Sequence, residues 1–160
     1  MVYLSKKEKF YTVRGYALMK QNTGSLTPSM EDYLEMTFRL SIEKGFVRVN
    51  ELAETLNVQP PSVTKMVQKL ADRGLLHYEK YGLIKLTEEG NKLGRYLLQR
   101  HNTIKEFLQL IGVKEGLHED TEKIEHSVRK TTMECLLRFI EFLKQEPAIM
   151  EKFYRTTTKN

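Results

Sequence analysis

Between Asn50 and Leu86 four patterns follow one another in an order that few folds accommodate. Glu51 to about Leu56 reads as a short helix with Leu52, Ala53 and Leu56 inward, and Asn50 can cap it. Asn57-Val58-Gln59-Pro60 reads as a turn. Pro61 suits the first position of a second helix, which runs to Arg73 and stops at Gly74. Val63, Met66, Val67 and Leu70 recur at i, i+3, i+4 and i+7, the spacing of one buried helix face. Leu76-His77-Tyr78-Glu79-Lys80 and Leu83-Ile84-Lys85-Leu86 then alternate around Tyr81-Gly82, as a hairpin does. Two helices, a tight turn and a hairpin in that order form a winged helix-turn-helix, and the order is more specific than either piece.

The flanks read as helix. Thr27 or Ser29 can cap a helix with Pro28 in its first turn. Met30, Tyr33, Leu34, Thr37, Phe38 and Ile42 repeat at helical spacing up to Lys44-Gly45, a C-terminal stop. Phe46-Val47-Arg48-Val49 reads as a short extended link. After the hairpin, Thr87 caps a long helix with Glu88 and Glu89 favourably placed in its first turn. Leu93, Tyr96, Leu97, Ile104, Phe107, Leu108 and Ile111 carry it to Gly112. At about 1.5 Å per residue this helix spans about 36 Å, enough to leave one domain and enter another. A loop over Val113–His118 leads to a helix capped by Asp120 or Thr121, and Thr131–Lys144 forms the next. Its Met133, Leu136, Leu137, Ile140, Phe142 and Leu143 exceed what one helix needs to cover a monomer core, so a subunit interface is their natural sink. Pro147 starts a short last helix, and Thr156–Asn160 fray.

The chain therefore reads as mostly α: a basic extension at 1–25, a winged helix-turn-helix with a small β-hairpin wing at 26–98, and a helical dimerisation domain at 99–160. A helix over Glu8–Met19 is allowed within the extension.

The net charge is +5, but it comes mostly from Lys6, Lys7, Lys9, Arg14 and Lys20 in the first 24 residues; the rest is near balance. Nucleic-acid binding must then rest on how charge is arranged. Lys65, Lys69 and Arg73, spaced by four along the second short helix, form a cationic stripe suited to phosphates. Gln59, Ser62, Thr64 and Gln68, with Pro61 opening the helix, place uncharged groups near the end that reaches base edges. Lys80 and Lys85 in the wing can add phosphate contacts. A plain solvated face would show similar residues. Cys135 is the only cysteine, which excludes a disulfide framework or thiolate zinc cluster within one chain and fits a reducing cytoplasm. No apolar run approaches the roughly 20 residues that span a bilayer, and the first residues lack the apolar core of a signal peptide. No membrane partner is expected.

One further stretch carries chemistry. Glu122, Glu125 and His126 stand at i, i+3 and i+4, which puts two carboxylates and an imidazole on one helix face. Oxygen and imidazole donors suit a hard-to-borderline divalent cation. Taken alone, the stretch fits a solvated acidic patch at least as well. Asp32 and Glu35 share one side of the first helix, and His101 lies past the middle of the long one. A helical di-metal carboxylate enzyme would want paired Glu-x-x-His segments, and no second such segment exists, so no enzyme is expected. On these residues alone, a winged-helix regulator sensing an organic ligand stays open.

Together the residues resemble the diphtheria-toxin-repressor family of metal-activated bacterial repressors, in its short, manganese-responsive branch. The likeness covers about residues 26–145. It rests on Thr27-Pro28-Ser29-Met30-Glu31-Asp32-Tyr33-Leu34-Glu35, on Pro61-Ser62-Val63-Thr64-Lys65-Met66-Val67-Gln68-Lys69-Leu70, on Arg100-His101, on Ile111-Gly112-Val113, and on Glu122-x-x-Glu125-His126. The resemblance implies that Asp32, Glu35, His101, Glu122, Glu125 and His126 hold two Mn²⁺ ions per subunit, with carboxylates bridging; other divalent ions can substitute. It implies a homodimer on a palindromic operator that represses manganese uptake genes, with no organic ligand. Iron-responsive relatives carry a thioether where Asp32 stands and a thiol where Glu122 stands. The chain departs from the pattern in its N-terminal extension and in Ser127-Val128, and like the short branch it lacks an SH3-like domain.

Overall fold

The computed structural model describes residues 25–157, so the basic extension and its allowed helix over Glu8–Met19 lie outside the described residues. Helix α1 (Pro28–Lys44) starts where a helix must: the Thr27 hydroxyl accepts from the Met30 N–H at 3.3 Å, and Pro28 occupies the first turn. It ends at Gly45, which takes the left-handed conformation (φ +75°) that ordinary residues resist. There follow β1 (Val47–Arg48), α2 (Val49–Thr55) and α3 (Pro60–Asp72). The wing comprises β2 (Leu76–Glu79), a tight turn at Lys80–Gly82 in which Tyr81 and Gly82 are both left-handed (φ 65° and 72°), and β3 (Leu83–Leu86). Helices α4 (Glu88–Leu110), α5 (Leu117–Glu125), α6 (Lys130–Gln145) and α7 (Pro147–Thr157) complete the chain.

Five sequence expectations shift. The extended link at Phe46–Val49 contains a strand, because Val47 pairs with Ile84 and Arg48 with Leu83. The hairpin is thus one part of a three-stranded antiparallel sheet ordered β1-β3-β2. Helix α2 begins at Val49, with Arg48 at the N-cap position and no side-chain cap, so Asn50 lies inside it, and α3 begins at Pro60, one residue earlier than expected. Helix α5 begins at Leu117 after left-handed Gly116, so Asp120 and Thr121 lie inside it. The Thr121 hydroxyl, instead of capping, donates to the Leu117 carbonyl at 2.7 Å. Helix α7 continues to Thr157, through residues expected to fray.

Two cores follow. The larger gathers Leu34, Leu52, Val63, Val67, Leu70, Leu76, Ile84 and Leu97 under the helix-turn-helix and sheet. The smaller holds Ile104, Leu108 and Met133, with Phe107, Val113, Leu117 and Leu136 against it. Helix α4 runs through both: Leu97 belongs to the first core and Ile104 to the second.

The approach of α1 to α4 sets what comes next. A Cβ added at Gly94 would lie 2.6 Å from Phe38 Cβ and 2.9 Å from its Cγ. Phe38 Cβ is fixed to the α1 backbone, so the helices would have to part. Gly94→Ala is therefore expected to cost about 1–3 kcal/mol. At about 2–4 °C per kcal/mol for a chain of this size, a thermal melt resolves the loss. An unchanged melting temperature would contradict the close packing.

Candidate metal centre and nucleic-acid interface

Three helices converge at one end of the α1–α4 contact. Helix α1 presents Asp32 and Glu35 one turn apart, α4 presents His101, and α5 presents Glu122 and Glu125, with His126 as its C-cap. All six side chains that the sequence nominated meet here. They fall into two groups whose donor atoms lie within 4.8 Å of one another: Asp32, Glu122, Glu125 and His126 in one, Glu35, His101 and Glu125 in the other. Glu125 belongs to both.

The interior contacts are short. His101 Nδ1 lies 2.8 Å from Glu125 Oε2 and 3.5 Å from Glu122 Oε1. His126 Nε2 lies 2.8 Å from Asp32 Oδ1 and 3.7 Å from Glu125 Oε1. Glu35 is held by Arg39 one turn along α1, whose Nε donates at 2.9 Å. Glu125 is 1 % exposed, and its buried Oε1 has no hydrogen-bond partner among the described residues. A buried carboxylate oxygen left unpaired is costly, and a cation is one way to satisfy it. The donor set of carboxylate oxygens and imidazole nitrogens fits a divalent ion.

Electrostatics point the same way. Burial, then the neighbouring Glu125 charge, push the Glu122 carboxyl up, with His101 partly offsetting them. Hydrogen bonds to Asp32 and Glu31 push the His126 imidazole up to about 10. At neutral pH that ring is an imidazolium balancing the acids, and to serve as a metal ligand it would have to give up a proton. Burial works against the Glu31 charge, but the hydrogen bonds from His126 and Arg100 prevail and hold its carboxyl below the usual range.

Glu31 and Arg100 were not nominated as site residues. Arg100 Nη2 donates to Glu31 Oε2 at 2.8 Å, and His126 Nδ1 reaches the same oxygen at 2.7 Å. The sequence signals were two: each stands beside a nominated residue, Asp32 or His101, and each lies in a stretch that carries the family resemblance.

On α3, Val63, Val67 and Leu70 face the core, while Pro61, Ser62, Lys65, Gln68 and Lys69 are exposed and Thr64 is half-buried. Gln59 is the exposed N-cap. Gln68 Nε2 donates to Asp72 at 3.0 Å, and the Thr64 hydroxyl to the Pro60 carbonyl at 3.2 Å. Arg73 lies at the C-cap, where Nη1 donates to the Ser25 carbonyl at 3.2 Å. Lys85 pairs with Glu79 across the wing at 3.1 Å. The Lys80 side chain lies outside what is described. No described helix is long and apolar enough to cross a membrane.

Comparison with known proteins decides the family. Residues 25–84 match the family model described as the iron dependent repressor, N-terminal DNA binding domain, and residues 87–154 match its metal binding and dimerisation domain. The chain belongs to the iron-dependent repressor family. It is 42% identical to the HTH-type transcriptional regulator MntR of Lysinibacillus sphaericus (strain C3-41) over 135 residues, 84% of this chain and 97% of that one. It is 43% identical to the MntR of Bacillus subtilis (strain 168) over 123 residues, 76% and 87% of the two chains. Among solved structures, the manganese regulator SloR shares 31% identity with a TM-score of 0.63, over 73% of this chain and 55% of SloR. The chain thus spans about half the length of that structure. Iron-dependent repressors are DNA-binding, metal-binding transcriptional regulators that dimerise, not enzymes, and this chain is one of them.

Proposed function

We propose that the protein is a manganese-activated repressor that binds a palindromic operator as a homodimer in the cytoplasm and turns down manganese uptake genes when the ion is plentiful. Asp32, Glu35, His101, Glu122, Glu125 and His126 hold two Mn²⁺ ions per subunit. The observation that carries this reading is Glu125, buried, with one oxygen that accepts no hydrogen bond among the described residues, and common to both donor groups. Four carboxylates supply the charge that two divalent ions require. Oxygen at Asp32 and Glu122, where a thioether or thiol would favour a softer metal, suits Mn²⁺. The likeness to SloR, a manganese regulator, supports the choice of metal.

The ligands belong to different units of the chain. Asp32 and Glu35 ride on α1 in the DNA-reading unit, 26–98; His101 and the α5 residues belong to 99–160. Bound there, the ions would supply positive charge that offsets the repulsion among these acids, and the junction between the two units would stiffen. Two α3 helices are then held at the spacing of successive major grooves. Lys65, Lys69, Arg73 and Lys80 lie along phosphates, while Gln59, Pro61, Ser62, Thr64 and Gln68 face the bases. Linkage makes the effect reciprocal: metal tightens DNA binding, and DNA tightens metal binding by the same factor.

The test selects duplexes from a random pool in the presence of Mn²⁺, then measures their affinity against free Mn²⁺, Fe²⁺, Zn²⁺ and Co²⁺. Activation by Mn²⁺ of about a hundredfold would correspond to about 2.7 kcal/mol of coupling. DNA binding indifferent to every ion would refute the reading.

Lys69 tests the reading face. Among the described residues it makes no ion pair, so its charge is available to phosphate. Lys69→Ala should weaken binding to all sequences alike and reduce the salt slope by about 1. A loss confined to the selected sequence would contradict the phosphate role.

A further inference from the structure

Behind the six side chains stands a pair that the metal reading does not use. Glu31 is beside Asp32 on α1, yet its Oε2 meets the other nitrogen of the same imidazole, His126 Nδ1, at 2.7 Å. His126 therefore spans two carboxylates, with Nε2 2.8 Å from Asp32 on the side of the donor cluster and Nδ1 on Glu31. An ionised carboxylate only accepts, so Nδ1 carries the hydrogen in that contact. That leaves Nε2 as the ring atom that faces the donor cluster.

Arg100 secures the arrangement from α4. It is 5 % exposed, and its Nη2 donates to the same Glu31 oxygen at 2.8 Å. Arg100 Nη2 also lies 3.4 Å from His126 Nδ1. Both are donors, so the two converge on one carboxylate oxygen rather than bond to each other. An ion pair serving only to join α1 to α4 would have no use for the histidine. The charges of Glu31 and Arg100 cancel, so the pair can orient the ring without adding net charge beside the acids.

We propose that Glu31 and Arg100 are positioning residues of the metal site: Glu31 holds the His126 ring with Nε2 toward Asp32 and Glu125, and Arg100 holds Glu31. This deepens the proposed function and rests on it. A hydrogen bond from the outer nitrogen of a ligating histidine to a carboxylate fixes the ring's tautomer and angle and raises its basicity as a ligand. The device also crosses the junction, because Glu31, Arg100 and His126 come from three different helices.

The test uses the full-length chain and its Glu31→Ala and Glu31→Gln variants. Mn²⁺ binding is read from the paramagnetic resonance of the free ion. Thermal melts without metal report folding, and nitrogen NMR of the Zn²⁺-loaded protein reports which His126 nitrogen is protonated. Glu31→Ala is expected to weaken Mn²⁺ binding about 10- to 100-fold. Glu31→Gln, whose amide oxygen can still accept from Nδ1–H, should recover part of that loss. The native Zn²⁺ form should carry its proton on Nδ1. A folded Glu31→Ala protein with native Mn²⁺ affinity would overturn the proposal, as would a native ring protonated on Nε2. If Glu31→Ala does not fold, Glu31→Gln decides: lowered affinity supports the role and unchanged affinity overturns it. A native chain that bound no Mn²⁺ would instead overturn the metal reading, and this positioning role with it.

Discussion

Glu125→Gln is expected to abolish metal activation while leaving a folded protein. The side chain is 1 % exposed and belongs to both donor groups, so no other residue can take its place. Glutamine has the same shape and can still accept from His101 Nδ1–H, which Glu125 now does at 2.8 Å. What disappears is one negative charge at the point the two groups share. Without metal two effects oppose: the repulsion that helps push the Glu122 carboxyl up is relieved, and the attraction to the His126 imidazolium, 3.7 Å from Glu125 Oε1, is lost. The melting temperature in chelator should therefore change little. With Mn²⁺, the ratio of DNA affinities with and without the ion should collapse from about a hundredfold toward one, a loss of about 2.7 kcal/mol of coupling. Glu122→Gln supplies the contrast. Its side chain is 55 % exposed and it belongs to one group only. It should lose one ion per subunit where Glu125→Gln loses both, and metal analysis of the dialysed proteins reads the difference. Equal losses from the two variants would mean that Glu125 does not bridge.

The contrast between these two acids was not legible in the chain, although the acids were. Spacing placed Glu122, Glu125 and His126 on one helix face, but burial depends on which neighbours cover that face. Only the docking of α5 on α4 makes Glu125 interior and leaves Glu122 half in water. Local chemistry was read well where it is self-contained. The Thr27 cap, the Gly45 stop and the Thr87 cap, whose hydroxyl accepts from Gly90 N–H at 3.0 Å, each need only a few adjacent residues. Strand β1 went unseen because two residues cannot show alternation, and its partner β3 lies more than thirty positions on. The start of α5 was misplaced for another reason. Asp120 has the chemistry of a cap, yet acidic residues are equally at home inside a first turn, where Glu119 and Asp120 sit. The Glu31–Arg100 pair joins positions 69 apart, and no periodicity encodes such a meeting.

Phe139→Asp with Phe142→Asp is expected to split the dimer and, with it, operator binding. On α6, Met133, Ile140 and Leu143 are buried, which accounts for the inward half of the apolar excess. Leu136 and Leu137 are half-buried, while Phe142 and its neighbour Phe139 are each 48 % exposed, and Ile149 and Phe153 on α7 are 44 % and 37 %. Monomers rarely leave several large apolar side chains exposed on two successive helices, and the family's second domain dimerises. We place the subunit contact on this face. A charge at each phenylalanine would have to be buried unpaired in the dimer, which is costly, whereas in a monomer both meet solvent. The small core suffers little, since Phe139 touches it mainly through Phe107, their ring centroids 6.5 Å apart. Every proposed metal ligand comes from one chain, so Mn²⁺ binding per subunit should survive the split. DNA affinity should not, because tethering two reading heads multiplies affinity by about 10²–10⁴ and a monomer forfeits that gain. Sedimentation gives the mass, and the same samples give Mn²⁺ and DNA affinities. A variant that loses Mn²⁺ together with the dimer would show that the metal centre needs the partner subunit, and one that stays dimeric would put the contact on another face.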